Sequence, residues 1–182
     1  IYGVTARSNF GNSGGGRNLF TLDIDTGEIE VIGPTNLAVN LTGLSFIGGS
    51  LYALNRAAQD IGTLDLATGN FAISAGTTLA SGARLAVAGG QAYVTSQNNL
   101  YSINPNSGAR SLIGSFAASA DRARGLAGIG DDLFVVTGFT QTSSGQPYNS
   151  LVSRINRVTA VIQPIGTIEA PIEALTIAPE VF

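Results

Sequence analysis

The same predicted β-hairpin occurs four times along the sequence. Its clearest copy is Asn99–Gly114, in which an apolar strand leads into the polar turn Asn104–Gly108 and a return strand follows. Short polar side chains favour such turns because they accept hydrogen bonds from nearby backbone N–H groups, while Gly tolerates a positive φ angle. The four copies are Asn18–Gly33, Gly62–Gly76, Asn99–Gly114 and Ser150–Gly166.

Each of the first three hairpins is followed by two more short apolar segments, such as Gly43–Phe46 and Leu51–Leu54 in the first copy, and the fourth is followed by one. The equivalent turn residues, Gly27, Gly69, Gly108 and Ala160, are 42, 39 and 52 positions apart. Four strands in roughly 40–50 residues is the period of β-propeller blades. The sequence therefore predicts an all-β, four-bladed β-propeller as a single domain over residues 1–182. Its blades are expected at about 17–55, 59–96, 99–137 and 150–182 plus 1–5.

The last unit lacks its fourth strand, and Ile1–Thr5 has the pattern of Leu51–Asn55. An unpaired edge strand exposes backbone hydrogen-bonding groups, so we expect the N-terminal strand to join the last blade and close the ring. Ile1, Tyr2 and Val4 are the predicted closure residues. Pairing of this strand with a neighbouring chain is the alternative, which would give a head-to-tail contact.

The repeat also predicts which side chains are buried. The first strand of each hairpin is expected to line the central axis. Two sets of equivalent residues are expected in the core: Leu44, Leu85, Leu126 and Leu175, and Ile32, Ile73, Ile113 and Ile165.

Composition excludes several kinds of chemistry. The chain has no His, Cys, Met or Trp, and all nine basic residues are Arg, so Lys is absent too. Thiol nucleophiles, imidazole bases and lysine Schiff bases are therefore excluded, and most zinc sites with them. A net charge of −3 argues against nucleic-acid binding, and no apolar run reaches membrane-spanning length. We expect no cofactor and no enzymatic activity.

The absence of Met leads us to expect a processed product or a fragment of a longer protein. A cleaved secretory signal would account for a start at Ile1. A chain poor in oxidisable side chains and free of lysine suits an extracellular or cell-surface setting.

One group of charged residues is predicted to converge. Alignment of the units places Arg84, Arg124 and Glu173 just before equivalent strands, so they should meet at one mouth of the central channel. Two arginines facing a carboxylate could bind a small acid or a sugar acid bidentately, or they could form a rim salt-bridge network. Asp121 and Arg122 are further candidates for this mouth.

Other polar segments have simpler interpretations. Asp23–Glu28 begins like a calcium loop, but Gly27 stands where an oxygen ligand is needed, so a turn is favoured. The glycine run 14–16 is not followed by a helix that could hold a phosphate, and Asp131-Asp132 is expected to be a solvated turn. Two long loops, 6–17 and 138–149, carry Phe10, Phe139 and Tyr148 as candidate contact residues. Asn40 begins the only N-glycosylation pattern.

The repeat L-[YF]-x-[IL]-[DN]-x-x-[TS]-G-x(4,5)-I-G, followed by GL-x-[FV] and LY-x-[LV], resembles the propeller repeats of uncharacterised bacterial secreted and surface proteins. Residues 18–55 and 100–114 carry the resemblance best, and unit four departs from it at Arg157–Ala160. The resemblance implies a propeller and an extracellular setting, and it implies no activity.

The favoured function is a non-catalytic structural or interaction module that assembles with itself or with matrix or cell-surface proteins. The alternative is a lectin-like propeller that binds a glycan or small acid at the arginine-bearing mouth. A hydrolase or lyase that relies on carboxylates alone is the third hypothesis.

Overall fold

The computed structural model describes residues 1–5, 17–36, 41–55, 59–80, 82–116, 123–138 and 150–169. Within these ranges the regular elements are all strands, so the described residues hold no helix long and apolar enough to cross a membrane. The strands are β1 (Tyr2–Val4), β2 (Asn18–Leu22), β3 (Ile29–Pro34), β4 (Leu41–Ile47), β5 (Ser50–Asn55), β6 (Asp60–Leu64), β7 (Phe71–Gly76), β8 (Arg84–Ala88), β9 (Gln91–Ser96), β10 (Asn99–Ile103), β11 (Arg110–Ser115), β12 (Gly125–Ile129), β13 (Asp132–Thr137), β14 (Ser150–Ile155) and β15 (Ile162–Ile168).

These strands form four antiparallel sheets arranged in a ring, which confirms the predicted all-β, four-bladed architecture. The first sheet has the order β1-β2-β3 in the described residues. The second has β4-β5-β6-β7, the third β8-β9-β10-β11 and the fourth β12-β13-β14-β15. Every hairpin carries a β-bulge at the same register position, which is Ile113 in β11 and Ile165 in β15.

The sheets group the strands differently from the blades defined on the sequence. Each complete sheet combines the last two strands of one sequence unit with the hairpin of the next unit. The reason is the length of the connections. β9 and β10 are joined by Gln97 and Asn98 alone, which brings them together as antiparallel neighbours. A periodic sequence shows the length of the repeat but not the point at which each sheet begins.

The N-terminal strand follows this same rule and pairs with β2 of the first sheet, so of the strands predicted for the last blade it does not join β14 or β15. β1 pairs with β2, with Gly3 opposite Phe20, and the Ile1 ammonium group donates a hydrogen bond to the Leu22 carbonyl at 2.8 Å. Tyr2 and Val4 pack against the buried side chain of Leu19. The strand expected at 174–177 lies outside the described residues.

The axis is lined by β4, β8 and β12, and not by the first strand of each hairpin as predicted. β8 contacts both β4 and β12, and each of the three is an edge strand of its own sheet. The backbones come very close: a Cβ atom on Gly43 would overlap the Leu85 nitrogen, and one on Gly128 would overlap the Val87 carbonyl oxygen. Glycine at these two positions therefore permits the close approach of the inner strands.

Three apolar clusters fill the spaces between consecutive sheets. They are centred on Leu19 and Leu51, on Leu85 and Val94, and on Leu133 and Ile155. Of the residues predicted to be buried, Leu85 and Leu126 are buried, Leu44, Ile32 and Ile113 are half-buried, and Leu175 lies outside the described residues.

Two of the predicted core residues are exposed. Ile73 is 60% exposed, and it pairs with Gly62 at the register position where the exposed Val31 pairs with Phe20. The sequence alignment matched Ile73 with Ile32, which lies one position further along, at the bulge. Ile165 is also 60% exposed, although it occupies the same bulge position as the half-buried Ile113.

The hairpin turns share one hydrogen-bonding pattern. In the second sheet, Asp65 Oδ1 accepts hydrogen bonds from the backbone N–H groups of Ala67 and Thr68, at 2.9 and 2.7 Å. Asp23, Asn104 and Asn156 do the same in the other hairpins. The last turn residue has a positive φ in all four hairpins. This residue is glycine in three of them and Ala160, with a φ of 59°, in the fourth. The structure therefore confirms the prediction that Asp23–Glu28 forms a turn.

The hairpin turn of one sheet docks on the outer strand of the preceding sheet. A Cβ on Gly33 of β3 would overlap the Thr68 carbonyl oxygen, and a Cβ on Gly69 would overlap the Gly33 carbonyl oxygen. The other two contacts of this kind join Gly108 to Gly76, and Ala160 to Gly114. We call each of these turn-on-strand contacts a blade joint.

Leu85→Ala should destabilise the fold strongly, because Leu85 is 1% exposed in the core between the second and third sheets. We expect a loss of about 2–5 kcal/mol in the free energy of unfolding, measured by urea denaturation. The control is Leu112→Ala, at a residue 61% exposed, where a loss within about 0.5 kcal/mol is expected. Equal losses for the two variants would contradict the placement of the core.

The carboxylates of Asp23 and Asp65 should make the stability of the fold fall as the pH is lowered. Hydrogen bonds from Thr68 and Ala67 lower the pKa of Asp65 below its ordinary 3.8, and those from Thr26 and Asp25 lower the pKa of Asp23. A lowered pKa in the folded state adds stability above the unfolded pKa, and this stability is lost as pH falls through the folded value.

The variant with both Asp23→Asn and Asp65→Asn should therefore lose less melting temperature than the wild type when pH falls below about 4. Its melting temperature at neutral pH serves as the control and should be nearly unchanged, because Asn104 and Asn156 hold equivalent turns. Parallel melting curves across the acid range would count against this role of the carboxylates.

Candidate functional site

The strand directions define two ends of the ring. The rim end carries the start of the inner strands β8 and β12, with Arg84 and Arg124. The turn end carries the hairpin turns and the two-residue turns at 48–49, 89–90 and 130–131. Candidate residues lie at both ends.

At the rim end the structure places Arg84 beside Arg124. Arg84 Nε donates a hydrogen bond to the Arg124 carbonyl oxygen at 2.6 Å, and Nη1 donates to the Gly82 carbonyl oxygen at 2.8 Å. The Arg124 backbone N–H donates to the Val136 carbonyl oxygen at 2.8 Å. The Arg84 guanidinium thus ties the start of β8 to the start of β12, which is a structural use of the side chain. Ligand binding by these arginines stays a prediction.

The other predicted site residues lie outside the described residues: Glu173, Asp121, Arg122, Phe10, Phe139, Tyr148 and Asn40. The residues that flank the two long loops do lie at the rim end. Thr5 donates its backbone N–H to the Asn18 carbonyl oxygen at 3.0 Å, and Thr137 ends β13 opposite Leu151.

At the turn end the fourth sheet has an open depression of about 740 Å³ that sequence reasoning missed. Two ion pairs line it. Arg157 Nη2 lies 2.8 Å from Asp131 Oδ1, and Arg154 pairs with Asp132. Two apolar side chains stand beside these charges: Val158 is 81% exposed and Val161 is 64% exposed. The depression therefore combines fixed charges of both signs with exposed apolar surface.

The turn Asn156–Ala160 positions Arg157 in this depression. Asn156 Oδ1 accepts hydrogen bonds from the backbone N–H groups of Val158 and Thr159, so Arg157 projects from the tip. Its Nη1 donates to the Ala88 carbonyl oxygen of the third sheet at 3.3 Å. A hydrogen bond with the Tyr93 side chain raises the pKa of Arg157 most, and the Asp131 carboxylate raises it further. Arg157 therefore stays charged at any pH the protein can experience.

Equivalent depressions lie at the turn ends of the first and second sheets, but their chemistry differs. The one on the first sheet, about 730 Å³, is acidic and is lined by Asp23, Glu28 and Glu30. The one on the second sheet, about 420 Å³, holds Asp65 together with Thr and Asn side chains. Of these three depressions in the described part of the chain, the one on the fourth sheet is the one lined by arginines.

A signal for the ion pairs was present in the sequence. Arg154 and Arg157 of the fourth sheet stand where the third sheet has Ser102 and Pro105, and Asp131 stands where the third sheet has Gly90. These charges replace neutral residues in one sheet only, and departures from the repeat that fall within one sheet can meet. The prediction that Asp131-Asp132 is a solvated turn did not include their ion pairs with Arg157 and Arg154.

Comparison with known proteins supports the fold and no more. No family model and no curated protein matches the chain. The structure is similar to a chain in the crystal structure of a nidogen/laminin complex, with a TM-score of 0.60 and 12% identity over 84% of this chain and 58% of that one. It is also similar to a structural genomics protein of unknown function from Bacteroides thetaiotaomicron VPI-5482, with a TM-score of 0.59 and 14% identity over 82% of this chain and 42% of that one.

The chain thus spans less than two thirds of the length of either neighbour. Together, the four sheets, the inner strands and these likenesses define a protein with a β-propeller fold.

Arg84→Ala should lower the free energy of unfolding by about 1–3 kcal/mol, because it removes charge-assisted hydrogen bonds to the carbonyls of Gly82 and Arg124. Arg84→Lys should not restore stability, since an ammonium group lacks the planar fork of donors. Arg154→Ala is the control; its exposed ion pair with Asp132 should matter little. A wild-type melting temperature for Arg84→Ala would show that Arg84 has no structural role.

Proposed function

We propose that this propeller is a non-catalytic, extracellular interaction module that assembles with copies of itself or with matrix or cell-surface proteins. The observation that carries the proposal is the turn-end depression of the fourth sheet. There Arg154 and Arg157 are held in place beside the exposed side chains of Val158 and Val161. Arginine next to apolar surface is typical of protein interfaces, where charged side chains give specificity and apolar ones give affinity.

One structural neighbour is a chain from a nidogen/laminin complex, so a similar fold occurs in an assembly of proteins. At 12% identity this likeness transfers the fold alone, so it supports the use of a propeller for protein contact without identifying a partner.

The chemistry of the carboxylates supports a non-catalytic role. Asp23 and Asp65 accept backbone hydrogen bonds in their turns, and Asp131 and Asp132 are in ion pairs with arginines. A carboxylate that serves as a general acid needs a raised pKa, whereas the pKa values of Asp23 and Asp65 are lowered. Their hydrogen bonds therefore suit turn formation better than proton transfer.

The extracellular setting is supported by composition. The sequence lacks Cys and Met, the side chains most easily oxidised, and it also lacks Lys and His. The charged fraction is low, at 12% of the residues.

A second candidate is a lectin-like function at the rim end, favoured by the proximity of Arg84 and Arg124. Two neighbouring arginines could hold a carboxylate of a sugar acid. Because Arg84 already donates to two backbone carbonyls near the starts of β8 and β12, we favour the protein-binding function over this one.

The test is binding of the immobilised protein to itself, to a panel of purified matrix and cell-surface proteins, and to a glycan array. We expect a protein partner, and we expect Val158→Asp combined with Val161→Asp to weaken its binding at least about tenfold, since this change places charge in the apolar part of the contact. Leu112→Asp, at another exposed apolar residue, should leave binding unchanged. Binding to acidic glycans alone would favour the lectin-like function, and equal effects of the two variants would remove the depression as the contact.

A further inference from the structure

Three turns meet at the turn end of the ring, between the third and fourth sheets. The Arg157–Asp131 ion pair of the fourth sheet lies against Gly89, in the turn that joins β8 to β9, where a Cβ atom would overlap Arg157 Nη1 and Asp131 Oδ1. The Gly89 N–H donates a hydrogen bond to the Gly130 carbonyl oxygen at 2.5 Å. Arg157 Nη1 donates to the Ala88 carbonyl oxygen at 3.3 Å. We call this set of contacts the Gly89 clamp.

The corresponding place between the second and third sheets has no such clamp in the described part of the chain. Gly48 stands where Gly89 does and has the same φ of 56°, and a Cβ atom on Gly48 would have no described atom within 4 Å. Pro105 stands where Arg157 does, and it has neither a charge nor a side-chain donor. The Gly89 clamp is therefore an addition that the fourth sheet makes to the shared blade joint.

The clamp changes which residue of the hairpin turn meets a tyrosine of the preceding sheet. Tyr52 and Tyr93 occupy the same register position in the second and third sheets. Tyr52 Oη donates to Asn106 Oδ1 in the third sheet's turn at 2.7 Å, whereas Tyr93 hydrogen-bonds with Arg157 in the fourth sheet's turn. Val158 stands at the position of Asn106. Since Arg157 meets the tyrosine, this position needs no polar side chain, and Val158 is 81% exposed.

Val158 is held from both sides within its turn. On one side, Thr159 and Ala160 dock on Gly114 in the last blade joint, and Ala160 is fully buried there. On the other side, the clamp fixes Arg157, whose side chain is only 27% exposed. Nη1 and Nη2 of Arg157 donate to acceptors within the chain. These contacts fix the position of Val158, and a surface fixed before binding loses less conformational entropy when a partner binds.

We propose that Arg157 and Gly89 are positioning residues for the protein-binding surface, so that the third sheet sets the affinity of the contact made by Val158. This inference rests on the proposed function and deepens it, because it assigns Arg157 to holding the surface and not to touching the partner. The partner that it implies presents an apolar side chain to Val158, since the charge of Arg157 is already paired with Asp131.

A matched pair of glycine substitutions tests the positioning. Gly89→Ala and Gly48→Ala bear the same backbone strain because the two φ angles are equal, and only Gly89→Ala displaces the clamp. The measurement is the ¹⁵N NMR order parameter of the Val158 amide in the free protein. We expect about 0.85, typical of rigid backbone, in the wild type and Gly48→Ala, and a fall toward about 0.6 in Gly89→Ala. Equal order parameters in the two variants would overturn the proposal.

Binding is then measured by surface plasmon resonance against the matrix or cell-surface protein, or the immobilised copy of the chain, that the panel identifies. Gly89→Ala should bind about tenfold more weakly, because a turn that spends about a tenth of its time in the competent position has about a tenth of the affinity. Gly48→Ala should bind like the wild type. Wild-type affinity in Gly89→Ala would show that the clamp does not set the affinity.

A double-mutant cycle shows whether Gly89 acts through Arg157. Arg157→Ala removes the clamp directly, so it should lower both the Val158 order parameter and the affinity. The variant with both Arg157→Ala and Gly89→Ala should then bind no more weakly than Arg157→Ala alone. Additive losses of affinity would contradict the proposal, because they would mean that the two residues act independently.

The order parameter requires no partner, so it separates this inference from the proposed function. If Val158→Asp combined with Val161→Asp loses the partner while Gly89→Ala keeps its order parameter and affinity, the positioning role fails and the interaction module stands. If that combined variant binds like the wild type, the depression is not the contact. The proposed function then fails at this site, and the positioning role fails with it even where Gly89→Ala mobilises Val158.

Discussion

The docking of a hairpin turn on a glycine-bearing strand is the contact on which the ring depends. It requires two local properties at once. The turn must hold its own shape, which Asp65 achieves by accepting hydrogen bonds from two backbone N–H groups of the turn. In the first joint the receiving strand must also lack a Cβ where the turn arrives, which Gly33 provides. Since each sheet contacts mainly its neighbours, stability is built up joint by joint, as in other repeat proteins.

The architecture could be predicted from the sequence because turn chemistry and repeat length are local signals. The grouping of strands could not, because a periodic sequence has no marked starting point, and the two-residue connection at Gln97-Asn98 decides which strands pair. The inner strands were misplaced for a related reason. All strands carry similar apolar residues, and the feature that distinguishes β4 and β12 is a glycine, Gly43 or Gly128, pressed against a backbone atom of β8.

The candidate sites divide in the same way. Arg84 and Arg124 could be brought together by aligning the repeats, because both precede equivalent strands. The alignment could not show that Arg84 donates to backbone carbonyls, since that depends on the distance between two inner strands. The ion pairs of Arg154 and Arg157 escaped prediction because repeat alignment highlights what the units share. A site confined to one sheet consists of residues in which that sheet differs from the other sheets.

The last hairpin turn shows how a residue other than glycine can hold the positive φ of a docked turn. Ala160 holds a positive φ of 59°, which costs an alanine about 1–2 kcal/mol relative to glycine. Its methyl group is fully buried against Gly114 in the last docked joint, which contributes about 0.8 kcal/mol. Burial thus offsets much of the strain where a joint forms. The same substitution at Gly27 would bear the strain without burial, because Gly27 is exposed. The requirement for glycine at this position is therefore strictest at Gly69 and Gly108, where a Cβ atom would overlap the carbonyl oxygens of Gly33 and Gly76.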